Sequence, residues 1–202
     1  MISMTGMATT RRGFLSIGLA SAAVGSAALL ASCSTSPTPR IYTLAIQPGT
    51  QLTGGPSSLS VVSAAIPRYL DRPQIIQHGG PYQLDVSEFD RWGEPFGDMV
   101  TRVLIGDLAQ RLPKTQVFRD DSPTATNAVA SVQLDISRFD PDPDGTVVLV
   151  ARWTLRGTNL IAEDSNRLTV KPASDAIPDI VAAMSQALGQ LADHIAAAVA
   201  RS

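Results

Sequence analysis

The apolar positions of this chain change period along its length, and the changes divide it into elements. Residues 41–46 and 59–66 are dense in apolar and β-branched side chains and read as strands, separated by a Gly/Pro/Ser loop at 48–58. Residues 74–77 and 82–86 flank His78-Gly79-Gly80-Pro81, which reads as a hairpin turn. The period then lengthens. Phe96, Met99, Val100, Val103, Leu104, Leu108 and Leu112 recur at the i, i+3, i+4, i+7 spacing of an amphipathic helix. Pro95 suits its first turn, where a missing N–H costs nothing, Pro113 stops it, and Glu94 or Gly93 is the expected cap.

Strict alternation returns in the second half. Val132, Leu134 and Ile136 alternate with Gln133, Asp135 and Ser137; Val147, Leu149, Ala151, Trp153 and Leu155 alternate with Val148, Val150, Arg152 and Thr154. A less regular strand covers 160–170, and turns at 140–145 and 157–159 make the three a meander. A closing helix over 178–200 carries Ile180, Val181, Met184, Leu188, Leu191, Ile195 and Val199 on one face. The expected fold is α+β: a single domain, mainly an antiparallel sheet packed by two amphipathic helices.

Residues 13–31 obey neither period. They form an uncharged run rich in Ala, Ser and Gly, preceded by Thr10-Arg11-Arg12-Gly13-Phe14-Leu15 and closed by Leu30-Ala31-Ser32-Cys33. A basic head, an apolar middle and small residues before a cut describe an export signal over 1–32, which is set aside from fold reasoning. The paired Arg11 and Arg12 resemble a twin-arginine address. The last four residues resemble the lipobox of bacterial lipoproteins, in which Cys33 becomes a lipidated N-terminus carrying diacylglyceryl and, in the full form, a palmitate-type amide chain. Ser-Thr-Ser-Pro-Thr-Pro at 34–39 is a short extended tether, and 40–202 is the domain.

Cys33 is the only cysteine, so a lipidated chain makes no intrachain disulfide. Of 16 basic residues Arg11 and Arg12 leave with the signal, so 14 face 18 acidic ones, a balance of −4. Such a charge gives no footprint for nucleic acid. Asp140-Pro-Asp142-Pro-Asp144-Gly145 imitates the opening of a calcium loop, but position 12 from Asp140 is Ala151, inside a strand, where an EF-hand needs a bidentate Glu. The run reads as a solvated hairpin turn. His78 and His194 each stand alone, without the spacing of a metal site, and neither a G-x-S-x-G nor a Walker loop occurs. No catalytic residue, metal ligand or cofactor is assigned, and Trp92 and Trp153 read as core anchors.

One connection stands apart. Ile66-Pro67-Arg68-Tyr69-Leu70-Asp71-Arg72-Pro73-Gln74-Ile75 is rigid, charged and aromatic, with Arg72 or Arg91 placed to pair with Asp71, Asp90 or Glu94 and lock strand to helix. Together with Tyr42-Thr43-Leu44 and Arg91-Trp92-Gly93-Glu94-Pro95-Phe96, this block resembles the ABC-transport auxiliary lipoproteins, the PqiC-like family of the paraquat-inducible operon. Gly93 stands where an Ala is expected. The resemblance implies a non-enzymatic accessory subunit of an MCE/ABC-type lipid or solvent transport system. It implies anchoring in the outer membrane, facing the periplasm, through Cys33. It further implies an MCE-domain protein and an ABC transporter complex as partners, self-assembly into a ring, and Tyr69, Leu70, Asp71, Arg72 and Trp92 as candidate partner-binding residues. The competing reading is an envelope hydrolase or ligand-binding lipoprotein with an unrecognised site.

Overall fold

The computed structural model of the chain describes residues 37–202 apart from 124, 126, 127, 158 and 159. The export signal with Arg11 and Arg12, the lipobox with Cys33, and most of the turn expected at 157–159 lie outside the described residues. In chain order the elements are β1 (Arg40–Tyr42), β2 (Ser58–Val61), β3 (Gln74–Gly80), β4 (Gln83–Trp92), α1 (Phe96–Arg111), β5 (Gln116–Arg119), β6 (Ala130–Pro141), β7 (Val147–Gly157), β8 (Leu160–Val170) and α2 (Ile177–Ala200).

The larger sheet has the order β5-β2-β6-β7-β8 and the smaller one β1-β4-β3. The fold is α+β, as expected, but both sheets are mixed. The long ladders β6–β7, β7–β8 and β3–β4 are antiparallel, whereas β2 runs parallel to both β5 and β6, and β1 parallel to β4. The parallel pairs follow from the connections. Between β2 and β5 the chain passes through the β3–β4 hairpin and α1, and a helix laid across a sheet returns the chain in the direction it came.

Alternation in β6 and β7 sorts the larger sheet into a core face and a wet face. Val132, Leu134 and Ile136 are buried while Gln133, Asp135 and Ser137 are exposed. A register shift between Ile136 and Arg138 then moves the phase by one, so Phe139 faces inward. Both helices cover the core face. Met99, Val100, Val103, Leu104 and Leu108 of α1 and Leu188, Leu191, Ile195 and Val199 of α2 have no exposed surface. Trp92 stacks on Phe96, whose ring leans on Phe139, joining the small sheet to the same core.

Four local expectations change. Pro95 is itself the N-cap of α1, not a first-turn residue: its carbonyl takes the Met99 N–H, and Glu94 bonds Arg102 instead of capping. His78 lies in β3, and the hairpin turns at Pro81-Tyr82. The strand expected at 59–66 is only Ser58–Val61, and the one expected at 41–46 ends at Tyr42. Beyond it, residues 43–55 form a strap over the two helices, because their backbone groups find helix side chains in place of a neighbouring strand. Leu44 N–H points at Met99 Sδ, Ala45 N–H donates to Ser185 Oγ (3.1 Å) and Gln47 N–H to Asp107 Oδ1 (2.6 Å).

Candidate docking surface and the clamps beneath it

The connection between β2 and β3 is a tight double turn. Leu70 N–H donates to Pro67 O, Asp71 N–H to Arg68 O, and Trp92 N–H to Pro73 O, which ties its end to β4. Of the five residues expected to meet a partner, Leu70 and Trp92 are only 4% and 7% exposed and belong to the core. Tyr69 is half-buried, and its hydroxyl donates to Asp140 Oδ2 at 2.5 Å. Asp71 and Arg72 are exposed and, with Arg68, form no ion pair among the described residues. The expected lock therefore uses other partners. Asp90 takes Arg40 at 2.7 Å and Glu94 takes Arg102. What the turn offers outward is Arg68, Asp71 and Arg72.

The lock itself is built on Asp140. This carboxylate is buried completely, contrary to a solvated turn; Asp144 alone of the three aspartates in that run is exposed. Arg138 Nε donates to Asp140 Oδ1 (2.8 Å), and its terminal nitrogen to Asp142 (2.5 Å). His78 Nε2 sits 3.2 Å from Asp140 Oδ1 without a hydrogen bond, its ring edge-on to Tyr69. A buried carboxylate needs such company, since an isolated charge in the interior is strongly unfavourable. Burial, then the hydrogen bond to Asp140 and its negative charge, push the Tyr69 hydroxyl well above the usual phenol range. Tyr69 thus stays neutral and donating, and the polar groups of this cluster are directed at one another.

A second clamp holds the strap. Arg111 is 1% exposed, between α1, α2 and the strap. Its Nε donates to Asp193 Oδ1 on α2 (2.6 Å), and its terminal nitrogens to Gln47 O (3.1 Å), Asp107 O (3.1 Å) and Gly189 O (3.0 Å). Asp107 is also buried, 3.9 Å from Arg111, with Oδ2 unpartnered. Desolvation raises its pKa to about 6 against the opposing pull of the Gln47 N–H and Arg111. Gly189 is required here, because a Cβ would come within 2.8 Å of Gln47 Cβ.

Among the described residues no group of His, Cys, Asp and Glu is placed to hold a metal ion, and no helix is long and apolar enough to cross a membrane. Exposed apolar side chains gather instead on the small sheet: Ile41 on β1, Leu84, Val86 and Phe89 on β4, and Tyr82 at the hairpin tip.

The model of the family described as the ABC-type transport auxiliary lipoprotein component matches residues 42–196. No curated protein matches the chain. Among solved structures, that of an uncharacterized protein is similar at TM-score 0.69 and 20% identity, over 81% of this chain and 99% of that one. Protein XCC0632 from Xanthomonas campestris, of the family DUF330, is similar at TM-score 0.64 and 18% identity, over 80% and 95%. These likenesses speak to the fold.

Proposed function

Because this chain belongs to the ABC-type transport auxiliary lipoprotein family, we propose that it is an envelope lipoprotein anchored through Cys33 that docks a lipid- or solvent-transport assembly without catalysing a reaction. The observation that carries this reading is the family match, which spans the strap, β2 through β8 and most of α2. The anchor is the lipobox at Cys33, and the membrane is the outer one, facing the periplasm. The partner is an MCE-domain protein that reaches from an inner-membrane ABC transporter, and further copies of the chain are candidates for a ring around it.

The docking surface is the turn bearing Arg68, Asp71 and Arg72. Its backbone is held by Pro67, Pro73 and the bond to Trp92 N–H, so its side chains lose little freedom on binding. Arginine is also a residue type enriched where binding energy concentrates.

The test is capture of the tagged lipoprotein from detergent-solubilised membranes. The MCE protein and the transporter ATPase should co-purify. Combining Asp71→Ala with Arg72→Ala should weaken capture by about thirtyfold, a hot-spot-sized loss, with the melting temperature unchanged. Capture without transporter subunits would sink the role, and capture indifferent to both substitutions would sink the turn as its surface. Mass spectrometry should find residues 1–32 absent and Cys33 acylated. Cys33→Ser protein should leave the membrane fraction.

A further inference from the structure

Seven large apolar side chains are exposed among the described residues: Ile41, Ile46, Tyr82, Leu84, Val86, Phe89 and Val129. Scattered single exposures are ordinary, but a cluster marks a contact. All except Ile46 and Val129 lie on the β1–β4–β3 sheet and its hairpin. The register shows how Ile41 and Phe89 share a face with Arg91. Ile41 of β1 and Gln74 of β3 both sit opposite Arg91, and Phe89 is two residues from Arg91 along β4. Past the register shift, Val86 joins them: Gln74, Val86, Glu88, Phe89 and Arg91 line one open depression of about 400 Å³. Leu84 pairs with His78 and lines a separate depression with Tyr69 and Arg138, and Tyr82 projects from the tip. The next residue of β4 after Arg91, Trp92, faces the opposite way, into the core. Arg91 forms no ion pair among the described residues, and its Nε is buried without a partner.

Chain length says what covers this face. From Cys33 to Arg40 is seven residue steps, which at full extension span at most about 25 Å. β1 is the first strand after that tether, and it forms one edge of the sheet in question. A thioether-linked anchor thus holds this sheet, before any other part of the domain, within reach of the bilayer. The composition fits an interface with lipid: aliphatic and Phe side chains for the acyl boundary, Tyr82 with an apolar ring and a wet hydroxyl, and a guanidinium free to meet a phosphate.

We propose that the β1–β4–β3 sheet rests on the phospholipid surface, with Ile41, Val86, Phe89 and the hairpin tip entering the headgroup region and Arg91 bonding a lipid phosphate. The proposal rests on lipidation at Cys33, which is tested separately. Acylation leaves Cys33 without a free thiol, so a cysteine introduced elsewhere takes a thiol-reactive, polarity-sensitive dye alone. Phe89→Cys, Tyr82→Cys and, as a control on the exposed face of α2, Gln190→Cys are made in the full chain. Each is purified from membranes, scored for acylation by mass spectrometry, and reconstituted into phosphatidylethanolamine–phosphatidylglycerol vesicles. Dyes at 82 and 89 should be quenched at least about twofold by acyl-chain nitroxide lipids, and the dye at 190 should not. Acylated protein without lipid quenching at 82 and 89 overturns the proposal and spares the anchor. Dyes shielded from aqueous quencher yet untouched by nitroxide lipid also overturn it, in favour of a protein neighbour. Quenching at 82 and 89 in Cys33→Ser chains, which lack acyl groups and any second thiol, upholds the face and removes the anchor, and neither acylation nor quenching overturns both.

Discussion

At the scale of single residues, burial acts most directly on the carboxyl of Asp107. Asp107 is held by desolvation at about 6, above the ordinary aspartate value, so the folded state binds its proton more readily than the unfolded chain does. Its contribution to stability is therefore unfavourable at neutral pH, and this penalty lifts as pH falls through about 6 toward 4. Asp90, held low against its burial by Arg40, and Asp144, held low by Thr146, lose stabilisation as pH falls through and below about 4. Asp107→Asn isolates the first effect, since the others cancel in the comparison. Denaturation at about pH 7.5 and 4.5 should show wild type gaining on the variant at the lower pH. A difference independent of pH would mean that Asp107 titrates normally. Tyr69 faces a buried charge instead. Tyr69→Phe leaves Asp140 with Arg138 as its hydrogen-bond donor and His78 beside it, and should cost about 1.5–3 kcal/mol, the range for a hydrogen bond to a charged group. Urea unfolding measures it, and a loss below about 0.5 kcal/mol would mean that water replaces the hydroxyl.

At the scale of elements, α1 shows what periodicity reveals and what it hides. The i, i+3, i+4 stripe located the helix and its buried face within a residue of its ends. Leu104 lies at the centre of that face with no exposed surface, so Leu104→Ala should lower unfolding free energy by about 2–5 kcal/mol. Asp107 and Arg111 fall on the same stripe, at the positions after Val103 and Leu108, and charge on an apolar face was the available signal for a buried clamp. The strap was not legible. Leu44 and Ile46 carry a strand-like pattern, and nothing local says that their backbone partners are Met99, Ser185 and Asp107. Mixed sheet polarity escaped for a related reason: alternation fixes which face a residue takes, not the direction of the neighbouring strand.

For the whole molecule, the architecture was readable wherever a period ran for ten residues or so, as in β6, β7, α1 and α2. The proposed docking surface was only half readable. A rigid, charged connection was evident in the sequence, but burial divided it: Leu70 and Trp92 to the core, Tyr69 to Asp140, and Arg68, Asp71 and Arg72 to solvent. The exposed apolar face of the small sheet went unseen because its residues come from β1 and β4, far apart in the chain and joined only by pairing.

The strap also sets the order in which the molecule can be completed. Ala45 bonds Ser185, Arg111 links Gln47 to Gly189 and Asp193, and Gly54 packs against the carbonyl of Ala200. Contacts that distant in sequence close late, after the intervening chain has been ordered. During synthesis the strap consequently waits, unseated, until the last helix has emerged. An export machine that accepts only finished domains would receive this chain after release from the ribosome. One that threads unfolded chain would carry it with the strap still open. A stalled chain ending before Ile177 should accordingly be cut by protease within residues 43–55, whereas the full-length chain resists there.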